Sequence, residues 1–261
     1  MKKLFLFLLL SSFSTFANTP SLENLDQADV DAVTEELAAN FVHTAVQPAG
    51  TLGSIFGFEV GLIAGVTETP EMERIVKETD PTTTVDMIPH AGILGVLTIP
   101  FGITGELTFI PERTISDVTI ENTTFALKWT ATDSVLSLPF DLAVRAHYSS
   151  NTFSYKDTIS SVDTTVAFDT TSIGANVTAG IDLLIFEPYV GLGYVSSDSD
   201  VTLTGNVSIF NFTTSSSASA SHSGAHFFAG TNINLLFLNI GAEYANIYGN
   251  SRYTAKLSVG F

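Results

Sequence analysis

The chain contains no cysteine among its 261 residues, which excludes disulfides, thiolate metal ligands and thiol nucleophiles. Basic side chains are scarce too: ten Lys and Arg stand against 27 Asp and Glu, for a formal charge of −17. A surface of that sign repels phosphate, so no nucleic-acid partner is expected. After the first 17 residues, no apolar run approaches the roughly 20 residues that a membrane-spanning helix needs. Yet the mean hydropathy is +0.32 and Phe occurs 20 times. An acidic chain this apolar, with no long apolar segment, suits a barrel that keeps its apolar residues on alternate strand positions.

The opening MKKLFLFLLLSSFSTFA places Lys2 and Lys3 ahead of an apolar run from Leu4 to Leu10, with small residues leading to Ala17. This is the layout of a cleavable secretory signal, and residues 1–17 are set apart from the fold. No cysteine follows to carry a lipoprotein anchor.

Four stretches further on share one pattern: FGITGELTF (Phe101 to Phe109), FDLAVRAHY (Phe140 to Tyr148), FEPYVGLGY (Phe186 to Tyr194) and LFLNIGAEY (Leu236 to Tyr244). Each starts on a large apolar residue and carries an aromatic eight positions later. An even offset puts both ends on one face of a strand, about 26 Å apart at about 3.3 Å per residue. With the tilt of about 45° usual for membrane strands, the height is about 19 Å, a little under the apolar band of about 25 Å between two aromatic girdles. No charge interrupts that face in any of the four, whereas Glu106, Asp141, Arg145, His147, Glu187 and Glu243 lie on the other. The last ten residues, RYTAKLSVGF, repeat the scheme: Tyr253 and Phe261 enclose Ala255, Leu257 and Val259.

With this terminal strand, residues 56–261 resemble the outer-membrane β-barrel superfamily, whose members commonly end on alternating apolar residues and a final Phe. The resemblance implies an all-β, transmembrane antiparallel up-and-down barrel, lodged in the outer membrane of a Gram-negative bacterium and in contact with its lipid. It also implies that the C-terminal strand is read by the barrel-assembly machinery. The expected girdle comprises Phe101, Phe109, Phe140, Tyr148, Phe186, Tyr194, Tyr244, Tyr253 and Phe261.

Strands are expected near 56–66, 87–99, 101–110, 118–131, 139–149, 164–180, 186–196, 222–236, 237–247 and 252–261, about ten in all. Tight turns at IPFG, LIFE and LFLN alternate with polar links over 68–86, 149–163 and 196–221, which would face the medium. Ahead of the barrel, which is taken to begin at residue 51, residues 18–50 form a separate segment. Within it, residues 21–46 predict an amphipathic helix with Val30, Val33, Leu37, Phe41 and Ala45 at helical spacing. Ser21 would cap it, Glu23, Asp26 and Asp29 suit its positive end, and Pro48 and Gly50 would stop it. The expected place for this helix is periplasmic, as a flap below the barrel or a contact between subunits, with a plug inside the barrel as the other possibility.

Projected inward, Glu59, Glu106, Lys128, Asp141, Arg145, His147, Glu187, Asn232, Asn234, Glu243, Arg252 and Lys256 give a lumen of both signs. Such groups either pair into a closed network or line a constricted path for ions and small solutes; Glu106, Arg145 and Glu243 sit mid-strand and are the constriction candidates. Close glycines at Gly57, Gly61, Gly65, Gly92 and Gly95 suggest that the first two strands pack against something, either the helix inside or a neighbouring barrel outside. In size and in carrying a helix before the barrel, the chain is similar to porin-like barrels that form rings around trapped lipid, which implies a possible homo-oligomer. An enzyme is not expected: Ser221, His222, Ser223 and His226 could supply a nucleophile and a base, but no Gly stands at nucleophile-elbow spacing. His222 and His226 could share one strand face around a metal, but no third ligand can be named, so no metal or cofactor is expected. Paired aromatics at Phe210 and Phe212 in the third link could meet a partner or lipid.

Overall fold

A computed structural model describes residues 27–261 apart from residues 54, 80, 83, 116, 134, 160–161 and 208–211. The expected leader, Ser21, Glu23, Asp26 and Phe210 lie outside the described residues. Ten antiparallel strands close into a barrel: β1 (Gly57–Glu68), β2 (Met87–Ile99), β3 (Ile103–Ile115), β4 (Val118–Thr130), β5 (Asp141–Ile159), β6 (Val162–Gly180), β7 (Phe186–Val207), β8 (Phe212–Leu235), β9 (Leu238–Ile247) and β10 (Asn250–Gly260). The first strand pairs with the last from Glu59 against Gly260 to Thr67 against Arg252, so no edge is left in the wall.

Alternation sorts the two faces. Along β1, Phe58, Val60 and Leu62 point out while Glu59 and Ile63 are buried; along β10, Tyr253, Leu257 and Val259 point out while Arg252, Thr254 and Lys256 are buried. The outward apolar band runs from the girdle at Phe58, Trp129, Phe186 and Phe261 to that at Tyr148, Tyr194, Phe227 and Tyr253. Among the expected girdle residues Phe101 is set apart, because it occupies a turn with φ of +72°.

The chain enters β1 and leaves β10 at one end of the barrel, beside the turns that join β2 to β3, β4 to β5, β6 to β7 and β8 to β9. At the other end the wall continues far beyond the band. β5 to β8 have 19, 19, 22 and 24 residues, longer than the sequence predicts, and place residues 149–159, 162–163, 196–207 and 212–221 of the expected polar links in paired strand. The reason is composition: these segments are rich in Thr and Ser on both faces, so they carry strand propensity without an apolar alternation to reveal it. At about 3.4 Å per residue and a tilt of about 45°, β8 rises about 55 Å, roughly twice the band. In bacterial outer-membrane barrels the short-turn end is the periplasmic one and the tall end the extracellular one, and the two ends are named in that sense below.

The helix corrects the favoured sequence expectation. Within the described residues it is α1 (Gln27–Phe41), ending at Phe41 rather than near residue 46, and it lies inside the barrel rather than beneath it. Val33, Leu37 and Phe41 pack on Tyr155, Val166, Phe168 and Val201, inner-face residues of the tall strands. Residues 42–49 continue down the lumen, almost wholly buried, with Val42 against Val195 and Phe228, and Val46 against Ile63 and Leu94. Gly61, Gly65 and Gly92 face inward, where the atoms nearest an added Cβ belong to the wall itself; a Cβ on Gly65 would sit 2.6 Å from the His90 ring. Gly95 faces open space outside. A second helix, α2 (Pro70–Thr79), lies where a polar link was expected; Pro70 suits its first turn and Lys77 its last. Its Ile75 joins the cluster around Phe41, so α2 forms a lid over the extracellular mouth.

Candidate functional site

The lumen is built by a non-helical chain meeting a charged wall. Residues 42–50 are neither helix nor strand, so their carbonyls have no internal partners, and burying them unpaired would be costly. The wall supplies the donors. Lys128 Nζ donates to the carbonyls of Pro48 and Gly50, both at 2.7 Å, Thr130 Oγ1 to Ala49 at 2.7 Å, and Thr108 Oγ1 to Thr44 at 3.1 Å. Higher up, Arg252 Nη1 donates to the carbonyls of Val42 at 2.7 Å and Ala39 at 3.2 Å. The helix has no basic residue in its own last turn, so Arg252 supplies the cation that a helix C-terminus favours.

Glu106 is the hub. Arg145 grips its carboxylate through Nε at 3.0 Å and Nη2 at 3.1 Å, and His43 on the threaded segment approaches it through Nε2 at 2.9 Å. The other His43 nitrogen meets Thr124 Oγ1 at 2.6 Å. Glu243 accepts from Thr44 Oγ1 at 2.8 Å and from the Tyr189 hydroxyl at 2.9 Å. All three constriction candidates therefore serve the segment or its anchors rather than an open path. Below them Glu59 pairs with Lys256 at 2.8 Å, both side chains without exposure, and Ser258 donates to the same carboxylate at 2.7 Å. Four of the ten basic residues in the chain, Lys128, Arg145, Arg252 and Lys256, are spent in this interior.

His147 stacks against His43 at 6.0 Å and lies 6.0 Å from His226. Asp141 and Glu187 are elsewhere. With Asp133 and Asp182 they line a periplasmic vestibule of about 420 Å³ that ends at Pro48 and Gly50. Asn234 donates to Glu187 there at 2.8 Å, and Thr51 bonds Asp133. At the extracellular mouth, Glu36 of α1 is buried and accepts the Glu71 and Met72 amides of α2 at 2.7 and 2.9 Å, holding the lid by its positive end. Burial pushes the Glu36 carboxyl above its usual value, against the pull of those two amides. The sequence gives no sign of Glu36, since its partners lie 35 and 36 residues away.

Ser221 and Ser223 are exposed on the outer face of β8, whereas His222 and His226 turn inward. Ser221 bonds Asp198, Ser223 accepts from Tyr194, and His222 meets Thr34 at 3.0 Å, so the Ser and His side chains of the less favoured hydrolase alternative fall on opposite faces. No group of three or more metal-ligating side chains stands together among the described residues.

Residues 54–261 match the Family of unknown function (DUF6588). No curated protein matches the chain. Among solved structures, the chain is similar to Ail, the attachment invasion locus protein of Yersinia pestis, solved with the heparin analogue sucrose octasulfate: 14% identity, TM-score 0.33, covering 79% of this chain and 97% of Ail. The translocator domain of the autotransporter NalP from Neisseria meningitidis is 9% identical with a TM-score of 0.44, over 80% of this chain and 89% of that one. Neisserial surface protein A is 11% identical with a TM-score of 0.26, over 80% and 96%. All three are outer-membrane β-barrels.

Proposed function

We propose that this ten-stranded barrel, which belongs to the Family of unknown function (DUF6588), sits in a bacterial outer membrane as a gated, porin-like channel for small cations, closed by its own N-terminal segment. The observation that carries the reading is the double use of Glu106, which is held by Arg145 of the wall and by His43 of the segment. Removing the segment would leave Glu106 with Arg145 alone and strip Lys128 and Arg252 of their carbonyl partners. The emptied lumen would then be polar and wet, which is what a porin interior requires. Asp133, Asp141, Asp182 and Glu187 would concentrate cations at the periplasmic mouth, as carboxylate rings do in cation channels.

The test is conductance in planar bilayers. Wild-type protein is expected to be silent with brief openings that favour cations, and Glu106→Ala to raise the open fraction at least tenfold. Thr44 and Glu243 are within hydrogen-bond distance, and the chain has no cysteine of its own, so a Thr44→Cys/Glu243→Cys pair bridged by a short bifunctional thiol reagent would pin the segment and abolish openings. Openings that persist in the bridged form would refute the gate.

A further inference from the structure

The contacts of the N-terminal segment move steadily from one end of the barrel to the other. At the periplasmic end Thr51 bonds Asp133, between β4 and β5, and the amide of Leu52 donates to Thr98 near the foot of β2. Mid-lumen, His43 meets Glu106 and Thr124. Higher, Asn40 accepts from Thr67, next to the last residue of β1. Higher again, Thr34 meets His222, Asp29 pairs with Arg74 of the lid at 3.1 Å, and Gln27 reaches the Ser219 carbonyl on the tall part of β8. No contact in this series reverses direction. The lengths agree: α1 spans about 22 Å at about 1.5 Å per residue, and the non-helical run below it adds up to about 30 Å, against an apolar band of about 25 Å.

We propose that the barrel carries its own N-terminal segment across the outer membrane, so that Gln27 stands on the cell surface while Thr51, a few residues before the first strand, is in the periplasm. A barrel of this kind exports a stretch of its own chain and keeps it in the pore, whether or not the lumen ever opens. With side chains the helix is about 10–12 Å across, and Phe41, Leu37 and Val33 are buried against the wall, so the closed barrel encloses the segment on all sides.

The absence of cysteine makes the test direct. Single substitutions Gln27→Cys and Ala28→Cys, both at exposed positions, are treated on intact cells with a membrane-impermeant maleimide. Ser221→Cys, exposed on the tall part of β8, serves as the surface control and Asp182→Cys, exposed in a periplasmic turn, as the internal one. Residues 27 and 28 are expected to label on intact cells to the extent of residue 221, with residue 182 labelling only after the outer membrane is permeabilised. If 27 and 28 label only together with 182, or stay unlabelled where 221 reacts, the threading is overturned. Conductance plays no part in the readout, so failure here leaves the gate to be judged by its own test.

Discussion

At the scale of single residues, the interior is governed by the cost of leaving a charge alone. Glu59 and Lys256 are both without exposure and 2.8 Å apart. Lys256→Met removes the cation and leaves a buried carboxylate with neutral donors, Ser258 and Asn239 among them, for support. Breaking one side of such a pair costs about 3–5 kcal/mol, whereas replacing both sides with apolar residues is often neutral. Lys256→Met is therefore expected to destabilise the barrel by that amount in urea titrations in detergent, and Glu59→Leu/Lys256→Met to recover most of it. Equal losses in the single and double variants would show that the pair does not act as a unit. Period-2 alternation suffices to turn Glu59, Glu106, Lys128, Arg145, His147 and Glu243 inward, because a strand offers only two faces. It gives no partners. His43 and the carbonyls of residues 39–50 come from a segment outside the strands, and the pairing of Glu106 with both Arg145 and His43 exists only once that segment is threaded.

At the scale of elements, the two helices hold each other through a carboxylate. Glu36 of α1, seated against the first turn of α2, has a carboxyl raised above the usual 4.5, by burial first and by the nearby Glu71 and Glu35 as well. A raised value means that the docked state binds a proton more tightly than the undocked one. Docking is then firmest below pH 4.5 and weakens as pH rises through the raised value. Spin labels at Asp31→Cys and Glu78→Cys, both exposed, should report a distance distribution that broadens between pH 4.5 and 8, and Glu36→Gln should make the width independent of pH. A pH response that survives Glu36→Gln would assign the effect to another group. The helical spacing of Val33, Leu37 and Phe41 is visible in the sequence, but the surface they cover is not. That surface consists of Tyr155, Val166, Phe168 and Val201, in stretches whose Ser and Thr content hides the extra height of the wall. An apolar helical stripe needs a partner and does not say where the partner is, so a place under the barrel and a place within it read alike.

At the scale of the whole molecule, the usual arrangement of a folded chain is inverted. Phe58, Leu62, Leu107, Val144, Leu192 and Leu257 are exposed, while Lys128, Lys256, Glu59 and Glu106 are among the most deeply buried side chains. In water that outer surface would be a large apolar patch, of the kind that drives aggregation. Against acyl chains it is the surface that belongs there, and the closed wall satisfies the backbone that lipid cannot. The single Trp supplies a probe of this claim. Trp129 is 41% exposed on the outer face, next to the last residue of β4 and paired in register with Ile103 and Val144, which puts it near the periplasmic edge of the band. In vesicles containing lipids brominated along the acyl chain, its fluorescence should be quenched, and more strongly by bromines close to the headgroup than by bromines near the bilayer centre. Phe125, four residues higher on the same face, reverses the order when it carries the probe, so Phe125→Trp in a Trp129→Phe background should respond best to the deep bromines. If neither position responds to bromine at any depth, the outer face does not meet lipid, and the barrel, the threaded segment and the gate would all need a different setting.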